Sequence, residues 1–440
     1  MSVISENTLL ATGIILIATF NIVILIRRNR FATAQGGFHI NLLFFFGFGP
    51  FAYGFAKISW DRFAAKALHQ FLNKALWVIF LSYLMCTIIF FVIDYKKKVD
   101  KNILIGIINK KREINRLSGI VLVLSIIGYA VGNEEFAKSG AGTFFLVLKN
   151  LLFPALILII YNASLKNKMS VFLLICAFGL VGINTFLSQW RSEFFIFLFS
   201  LVMGLVLRDR RYLWSGIILG PLLFVIILPF QNLKKKGEIK DSNYVDAILT
   251  SVDSKVDPVD VAIGFLAYRM NYGRESAYVL RGIDKQYISY RYGETYEELI
   301  LQLIPRFVWP DKPSYNYFTG FVLPRKIGLS SKLDRYTSWG VNYFAEFMYN
   351  FPLNVLPFFF LFIWFVFRWF DNLAVRMKLA PGVKLLLQFS LFFQVLTTVS
   401  IINGATYFLW IFIIIKLINY LFYKNNSLEK IHAGTYLRRV

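Results

Sequence analysis

The sequence has few of the residues that build metal centres and disulfide frameworks. It contains two cysteines, Cys86 and Cys176, which both lie inside apolar runs, and its three histidines are far apart. Two such cysteines give no disulfide framework, and the histidines form no metal-binding or triad-like spacing. Glycine patterns of the Walker or dinucleotide-binding type are also absent, which argues against soluble nucleotide chemistry. We therefore expect neither a metal nor a cofactor.

Acidic residues are also scarce, with 25 Asp and Glu against 48 Lys and Arg, a net charge of +23. Such an excess is typical either of nucleic-acid binding or of the topology signal of a membrane protein. Hydrophobic residues make up 57% of the chain, against about 45–50% in soluble domains. Many apolar runs approach the roughly 20 residues that cross a bilayer as a helix. We therefore favour membrane topology and expect no nucleic-acid partner.

The apolar runs are continuous rather than alternating, which favours helices over a barrel. The sequence thus predicts an all-α, polytopic integral membrane bundle of about eleven transmembrane helices in the lipid bilayer. Leu9–Ile26 is taken as the first span because no basic segment precedes it and no signal-peptidase site follows it. The predicted spans are 8–26, 38–56, 76–93, 117–132, 143–161, 169–187, 193–207, 212–230, 353–370, 384–402 and 405–423.

These spans divide the chain into four regions. Residues 1–230 hold transmembrane helices 1–8, residues 231–352 form a large extracytoplasmic loop, residues 353–423 hold helices 9–11, and residues 424–440 form a tail. With the amino terminus outside, the inner loops and tail carry 24 Lys and Arg residues and the short outer loops carry six. Because Lys and Arg concentrate on the cytoplasmic side, we expect an outer amino terminus and a cytoplasmic carboxyl terminus.

The large outer loop has an unusual composition. It holds 13 of the 23 tyrosines, no histidine, and 16 basic against 14 acidic residues. Ordered loops of this length are usually functional, and we expect short helices within it. Tyrosine-rich surfaces with balanced charge suit a polar ligand with flat apolar faces, such as a sugar. An interfacial aromatic belt would account for Tyr343, Tyr349 and Phe351 near the next span, but not for the whole loop.

Two helix signals lie in this loop. Asp257 followed by Pro258 predicts a helix start, and the helix is expected to continue to Gly282. The spacing Thr295-x-x-Glu298 predicts a capping box that opens a second short helix. The first helix would put Arg274, Tyr278 and Arg281 on one face, with Arg269 and Glu275 on neighbouring faces. This surface is either a candidate anion site or simply a solvated helix face.

Three further segments carry candidate residues. The stretch 304–313 (IPRFVWPDKP) is expected to be rigid and non-helical, and it presents Arg306, Trp309, Asp311 and Lys312. A purely structural turn is the alternative for this stretch. Arg191 lies in a short outer loop near the membrane surface, where it could hold a phosphate or belong to a local ion pair. Glu346 precedes span nine and is either functional or a helix-capping carboxylate.

Three short sequences resemble motifs of a known family. They are QWRSEF (189–194), IPRFVWPDKP (304–313), and Glu346 with Asn350-Phe351. Together with the topology, they are similar to those of the bacterial Wzy-type oligosaccharide repeat-unit polymerases, including O-antigen polymerases. The topological likeness covers the whole chain, whereas the motifs cover about thirty residues.

The resemblance implies a metal-independent membrane glycosyltransferase of polysaccharide biosynthesis, with a fold similar to glycosyltransferase class C. Such an enzyme lies in the bacterial inner membrane and builds O-antigen of lipopolysaccharide or exopolysaccharide. It would transfer the growing glycan en bloc from undecaprenyl pyrophosphate to a new lipid-linked repeat unit. The undecaprenyl-pyrophosphate-linked oligosaccharide is the implied substrate, and a chain-length regulator protein is a further implied partner.

The candidate residues fit this chemistry in two groups. We expect arginines to neutralise the pyrophosphate leaving group and one carboxylate to act as general base. The catalytic candidates are Arg274, Arg306, Glu275, Asp311 and Glu346. The substrate-binding candidates are Arg191, Arg269, Arg281, Trp309, Lys312 and Tyr278.

Two other functions fit the topology less well. Ligase-like transferases of O-antigen resemble this layout but usually carry a histidine in the large outer loop, and residues 231–352 have none. A transporter or flippase for lipid-linked oligosaccharides would be expected to show repeats and polar residues spread through its spans. Here the spans are nearly free of charge and the polar residues concentrate in one loop.

Overall fold

A computed structural model describes most of the predicted spans and part of the large loop. The described residues are 3–28, 31, 33–55, 65–94, 111–131, 142–162, 168–188, 200–206, 208–209, 263, 267, 271–297, 309, 322–328, 341–377, 379–397 and 407–421. Within these ranges every regular element is helical, and no strand occurs among them. The all-α prediction is therefore confirmed for this part of the chain, while predicted span 212–230 lies outside it.

Thirteen of the helices in the described ranges are numbered here in chain order. They are α1 (Val3–Arg27), α2 (Ala34–Asn41), α3 (Gly49–Tyr53), α4 (Ala65–Asp94), α5 (Lys111–Val131), α6 (Gly142–Asn150), α7 (Leu152–Asn162), α8 (Lys168–Ser188), α9 (Tyr272–Asp284), α10 (Leu323–Lys326), α11 (Tyr343–Asn350), α12 (Leu356–Arg376) and α13 (Pro381–Thr397). A π-helical turn, Leu42–Phe48, joins α2 to α3, and 3-10 turns occupy Glu294–Tyr296 and Leu353–Val355.

Four of the described helices are long and apolar enough to cross a membrane: Glu6–Arg27, Leu68–Ile93, Ile114–Val131 and Leu353–Arg376. These match predicted spans one, three, four and nine. Shorter apolar helical stretches cover predicted spans five, six, ten and eleven: Val147–Asn162, Val171–Leu180, Gly382–Leu396 and Tyr407–Leu421.

The long helices expose apolar side chains in stripes. Five of the exposed large side chains on α4 recur every three or four residues, and so do four of those on α12, so that each set occupies one helix face. These stripes are Trp77, Leu81, Leu84, Ile88 and Phe91 on α4, and Phe358, Phe362, Phe365 and Trp369 on α12. Contiguous apolar faces of this size are unfavourable in water and normal in lipid. The fold is therefore that of a helical membrane protein.

Polar side chains between the long helices bond to one another. Asn21 Nδ2 of α1 donates to Thr87 Oγ1 of α4 at 2.9 Å. The Tyr83 hydroxyl of α4 and His39 Nδ1 of α2 share a hydrogen bond of 2.7 Å. In lipid the hydrophobic effect does not drive helices together, so interhelical hydrogen bonds and close packing contribute a larger share of the free energy of helix association. These bonds join α1, α2 and α4 into one unit.

The start of α2 is held by a distant carboxylate. Asp371 of α12 accepts hydrogen bonds from Ala34 N at 2.8 Å and from Gln35 N at 3.1 Å. The first amides of a helix have no partner within the helix, and a negative charge there also stabilises the helix dipole. On the same helix, a methyl group at Gly37 would lie 2.5 Å from Phe392 O of α13. The absent side chain lets these two helices approach closely.

The described helices of the predicted outer loop pack into the bundle. Helix α9 lies against α4 and α11. Tyr272 of α9 stacks on Phe45 at 4.1 Å, and Phe344 of α11 stacks on Phe360 of α12 at 4.3 Å. All four side chains belong to one apolar core or pack against it. The helices that carry the candidate site are thus anchored on the candidate spans.

Two local predictions for this loop are wrong. The helix expected from Asp257 to Gly282 is not continuous, because Asn271 has non-helical backbone angles and caps a new helix by accepting from Arg274 N at 3.0 Å. Asp257 itself lies outside the described residues. Thr295 does not cap a helix either: it lies within a 3-10 turn, and its Oγ1 accepts from Asn350 Nδ2 at 2.6 Å.

Candidate functional site

The first turn of α9 carries a buried ionisable pair. Asn271 caps the helix, and Arg274 and Glu275 follow as its third and fourth residues. Only 6% of Arg274 and 9% of Glu275 is exposed. A carboxylate in the first helical turn is favoured by the helix dipole, but its burial costs free energy unless it is hydrogen-bonded or paired. The partners of Glu275 therefore decide what this position does.

Asn342, at the start of α11, supplies those partners. Its backbone N and its Nδ2 donate to Glu275 Oε2 at 2.9 and 2.7 Å, and the same Nδ2 also donates to Tyr272 O. Its Oδ1 accepts from the backbone N of Phe344 and of Ala345, which caps α11. One buried side chain thus caps α11 and fastens it to α9 through Glu275.

Burial shifts the protonation of Glu275. Desolvation raises its pKa to about 7, although the backbone and side-chain hydrogen bonds from Asn342 and the charge of Arg274 all lower it. A low-polarity environment disfavours the charged form of a carboxyl group. A carboxyl group with a pKa near 7 exchanges protons readily at neutral pH, which is the property expected of a general acid or base.

Arg274 is also held by an aromatic ring. Its guanidinium lies 5.8 Å from the ring centroid of Tyr278, one turn later on α9. A cation over a ring face at this distance is attracted by the ring quadrupole. Tyr278 is buried, whereas Arg281, a further turn along the helix, is half-buried. Helix α9 therefore contains all three residues predicted to share a face, with Arg274 on the buried side.

Glu346 lies one helical turn beyond Asn342 and is fully buried, with 0% exposure. Tyr296 is close enough to feel its charge: burial, and then the Glu346 carboxylate, raise the pKa of the Tyr296 hydroxyl. Asn350, one further turn along α11, bonds to Thr295 Oγ1 and donates back to Glu346 O at 2.9 Å. The turn around Thr295 is thereby joined to α11 through Asn350, near the second buried carboxylate.

The remaining predicted residues are placed only in part. Trp309 is 38% exposed. Five candidates lie outside the described residues, so their position relative to Glu275 stays a prediction: Arg191, Arg269, Arg306, Asp311 and Lys312. Within the described ranges, no group of three or more His, Cys, Asp or Glu side chains has the arrangement of a metal site.

Asn342 was not among the residues predicted from sequence, and Asn350 was named there only as part of the motif that begins at Glu346. Asn342 directly precedes the apolar helix YFAEFMYN and had the signature of a helix cap, so its role at α11 could have been inferred. Its second role, as partner of Glu275, joins residues 67 positions apart. A single sequence contains no signal for that pairing.

The fold and this pair of joined helices define a helical membrane protein with a buried, ionisable polar cluster on α9 and α11, beside its candidate spans. Comparisons of the chain with protein families, with curated proteins and with solved structures found no match.

Proposed function

We propose that this protein is a polysaccharide polymerase of the bacterial inner membrane. It would transfer a growing glycan from undecaprenyl pyrophosphate to the next lipid-linked repeat unit. The observation that carries the proposal is the Arg274–Glu275 pair, a basic group and a carboxyl group with a pKa near 7 that are adjacent on α9. This reaction requires one group of each kind, a general base and a cation for the departing pyrophosphate.

Glu275 is the general base in this proposal. Both hydrogen bonds that it receives from described residues come from Asn342 and go to Oε2, which leaves Oε1 for a substrate hydroxyl. The ionised carboxylate would take the proton of the acceptor hydroxyl as its oxygen attacks the anomeric carbon of the growing chain. The bond from that carbon to the pyrophosphate oxygen breaks, and undecaprenyl pyrophosphate leaves with the electron pair.

Arg274 would stabilise the charge that develops on the leaving pyrophosphate. Its planar guanidinium matches phosphate oxygens, and its low exposure strengthens the attraction because little water screens it. The ring of Tyr278, whose centroid lies 5.8 Å from the guanidinium carbon, would help to hold Arg274 in position. Arg306, Arg191 and Arg269 are proposed as further phosphate contacts, and Trp309 as a ring that stacks on a sugar.

Glu346 has a different proposed role. It is fully buried beneath Tyr296 and Asn350, so it is less suited to meet a substrate hydroxyl than Glu275. We assign it to positioning, because it lies on the same helix as Asn342, which holds Glu275. This assignment distinguishes two carboxylates that the sequence alone left equivalent.

The direct test is polymerisation by purified full-length protein supplied with lipid-linked repeat units. We expect a ladder of products with the natural chain and single units only with Arg274→Ala. A transporter would produce no ladder under any condition, and a ligase would transfer glycan only when given its acceptor. If the natural chain yields no ladder, and a strain lacking the protein still makes polymer, the proposed function is wrong.

A further inference from the structure

A cavity of about 450 Å³ opens beyond the carboxyl end of α9. It lies between the segment that follows α9, the short helix α10 and the end of α11. Its lining includes Tyr287, Tyr290, Arg291, Tyr292, Lys326 and Tyr349. A volume of this size is within the roughly 300–1,000 Å³ of small-molecule sites. None of these six residues is among the buried polar residues of the candidate site, Arg274, Glu275, Asn342 and Glu346.

The aromatic lining is presented to the outside. Tyr287 is 63% exposed and Tyr292 is 73% exposed, and the rings of Tyr290 and Tyr292 lie 6.2 Å apart at 55°. Large aromatic side chains that remain this exposed contribute little to the core. Their flat apolar faces with a polar tip suit a ligand that is itself polar at its edge and apolar on its face, as a sugar ring is.

The backbone at Tyr292 is constrained in an unfavourable conformation. Its φ is 46°, which is rare for a bulky residue. Tyr292 N donates to Asn350 O at 2.9 Å, and Gly293 N, at φ 98°, donates to Asn350 Oδ1 at 3.1 Å. Backbone held in such regions by its surroundings clusters at ligand sites. Here α11 fixes the turn and aims its tyrosine at the cavity.

The charged groups of the cavity are basic. Arg291 is held in place, since its Nε donates to Tyr349 Oη at 3.0 Å and its Nη1 to Glu294 Oε2 at 2.8 Å. Lys326, in α10, has no acidic partner within 4.0 Å among the residues described here. The cavity lining includes Arg291 and Lys326 and no Asp or Glu. An anionic group is the ligand chemistry that this arrangement favours.

We propose that this cavity binds a sugar ring that carries a carboxylate or phosphate, with Lys326 and Arg291 on the anion and Tyr287 and Tyr292 on the ring. The proposal rests on the proposed function in taking this sugar to be part of the lipid-linked chain. Ile283 at the cavity follows Glu275 by eight positions on α9, or about 12 Å along the helix. A short oligosaccharide bridges that distance, so the cavity would select repeat units by their acidic sugar.

Calorimetric titration of the full-length protein in detergent tests the site without requiring polymerisation. The probes are a disaccharide that contains glucuronic acid, its neutral counterpart that contains glucose, and inorganic pyrophosphate. We expect the acidic disaccharide to bind, and Lys326→Ala to weaken it about tenfold through the lost charged contact. Tyr292→Ala is expected to weaken it to a similar degree.

Lys285→Ala is the matched control, because Lys285 is exposed, lies near the same helix end and does not line the cavity. It is expected to leave binding unchanged. Equal binding of the neutral disaccharide, or equal loss with Lys285→Ala, would overturn the site. Tight binding of pyrophosphate that Lys326→Ala abolishes would also overturn it, because the cavity would then hold the lipid headgroup.

The two proposals fail separately. Polymerisation that persists while no acidic saccharide binds overturns the cavity assignment and leaves the polymerase proposal standing. Saccharide binding that depends on Lys326, in a protein that makes no polymer, supports the cavity and overturns the polymerase proposal.

Discussion

Asn342 gives two hydrogen bonds to a single oxygen of Glu275, one from its backbone N and one from its side chain. The first requires that α11 begin at this point, and the second requires that the side chain turn toward α9. The position and the protonation of the candidate base therefore both depend on one asparagine. The first two predictions concern this pair.

Asn342→Ala is expected to destabilise the protein and to alter Glu275. Loss of the cap costs about 1 kcal/mol, and loss of a hydrogen bond to a carboxylate costs about 1.5–3 kcal/mol. The thermal unfolding midpoint should fall, and the pKa of Glu275 should rise because a side-chain bond that lowers it is lost. Asn354→Ala is the control, since Asn354 is exposed in a 3-10 turn; an equal fall there would contradict the prediction.

Glu275→Gln is expected to abolish polymerisation and to preserve the fold. Glutamine keeps an oxygen that can accept from Asn342, but it cannot take a proton. In the natural protein the rate should increase with pH up to about 7 and then level off, as the carboxyl group ionises. The measurement is product formation across pH. Glu297→Gln changes an exposed carboxylate and should retain this profile; a profile without inflection near 7 excludes Glu275 as the base.

The raised pKa of Glu275 also makes stability depend on pH. Because burial raises the folded-state pKa above the ordinary value of 4.5, the folded state binds more protons between pH 4.5 and 7. Stability should therefore be greatest below this window and fall by about 3 kcal/mol as pH rises through it. Glu275→Gln should remove this part of the pH dependence. The free energy of unfolding, measured at pH 5 and pH 8 for the natural protein and for Glu275→Gln, checks the sign of this pH dependence.

Gly128→Ala is expected to separate α5 from α6. A methyl group at Gly128 would lie 2.4 Å from Lys149 N and 2.9 Å from Phe145 O, both backbone atoms that cannot rotate away. Forced overpacking of this kind costs about 1–3 kcal/mol. Gly179→Ala on α8 is the control, because nothing lies within 4 Å of its added methyl. That change should be neutral or stabilise the protein by up to about 1 kcal/mol; equal loss at both glycines would contradict the close approach.

The predicted orientation can be tested by thiol labelling of intact cells. Cys86 is buried and Cys176 is half-buried, so a variant lacking both provides the background. Tyr287→Cys, at an exposed position of the predicted outer loop, should react with an impermeant maleimide. Lys168→Cys, exposed at the predicted inner end of α8, should react only after the membrane is opened. The reverse pattern would place the amino terminus inside.

The sequence predicted the helices better than their junctions. The apolar run at residues 8–26 corresponds to α1, and that at 353–370 to α12, because hydropathy over about 20 residues is a strong local signal. The break at Asn271 was missed, although Asn271 and Gly273 are both poor helix formers. The capping box at Thr295 was wrong because its hydroxyl bonds instead to Asn350, 55 positions away.

The candidate site likewise has features that the local sequence predicts and features that depend on helix packing. Arg274, Glu275 and Tyr278 could be selected as candidates because their spacing and chemistry are local properties of one helix. The Asn342 partnership and the basic cavity at Lys326 depend on helix packing, which brings together segments that are distant in sequence. Tyr287 and Tyr292 contributed only to a tyrosine count, since composition does not tell which tyrosines share a surface.

The bond between Asp371 and the start of α2 gives the protein an order of assembly. The carboxylate follows Ala34 by 337 positions, and at about 5–20 residues per second a ribosome needs roughly 20–70 s to cover that distance. Throughout this interval Asp371 is not yet present to accept hydrogen bonds from the first amides of α2. The start of α2 therefore acquires its two hydrogen bonds to Asp371 only after α12 has been synthesised.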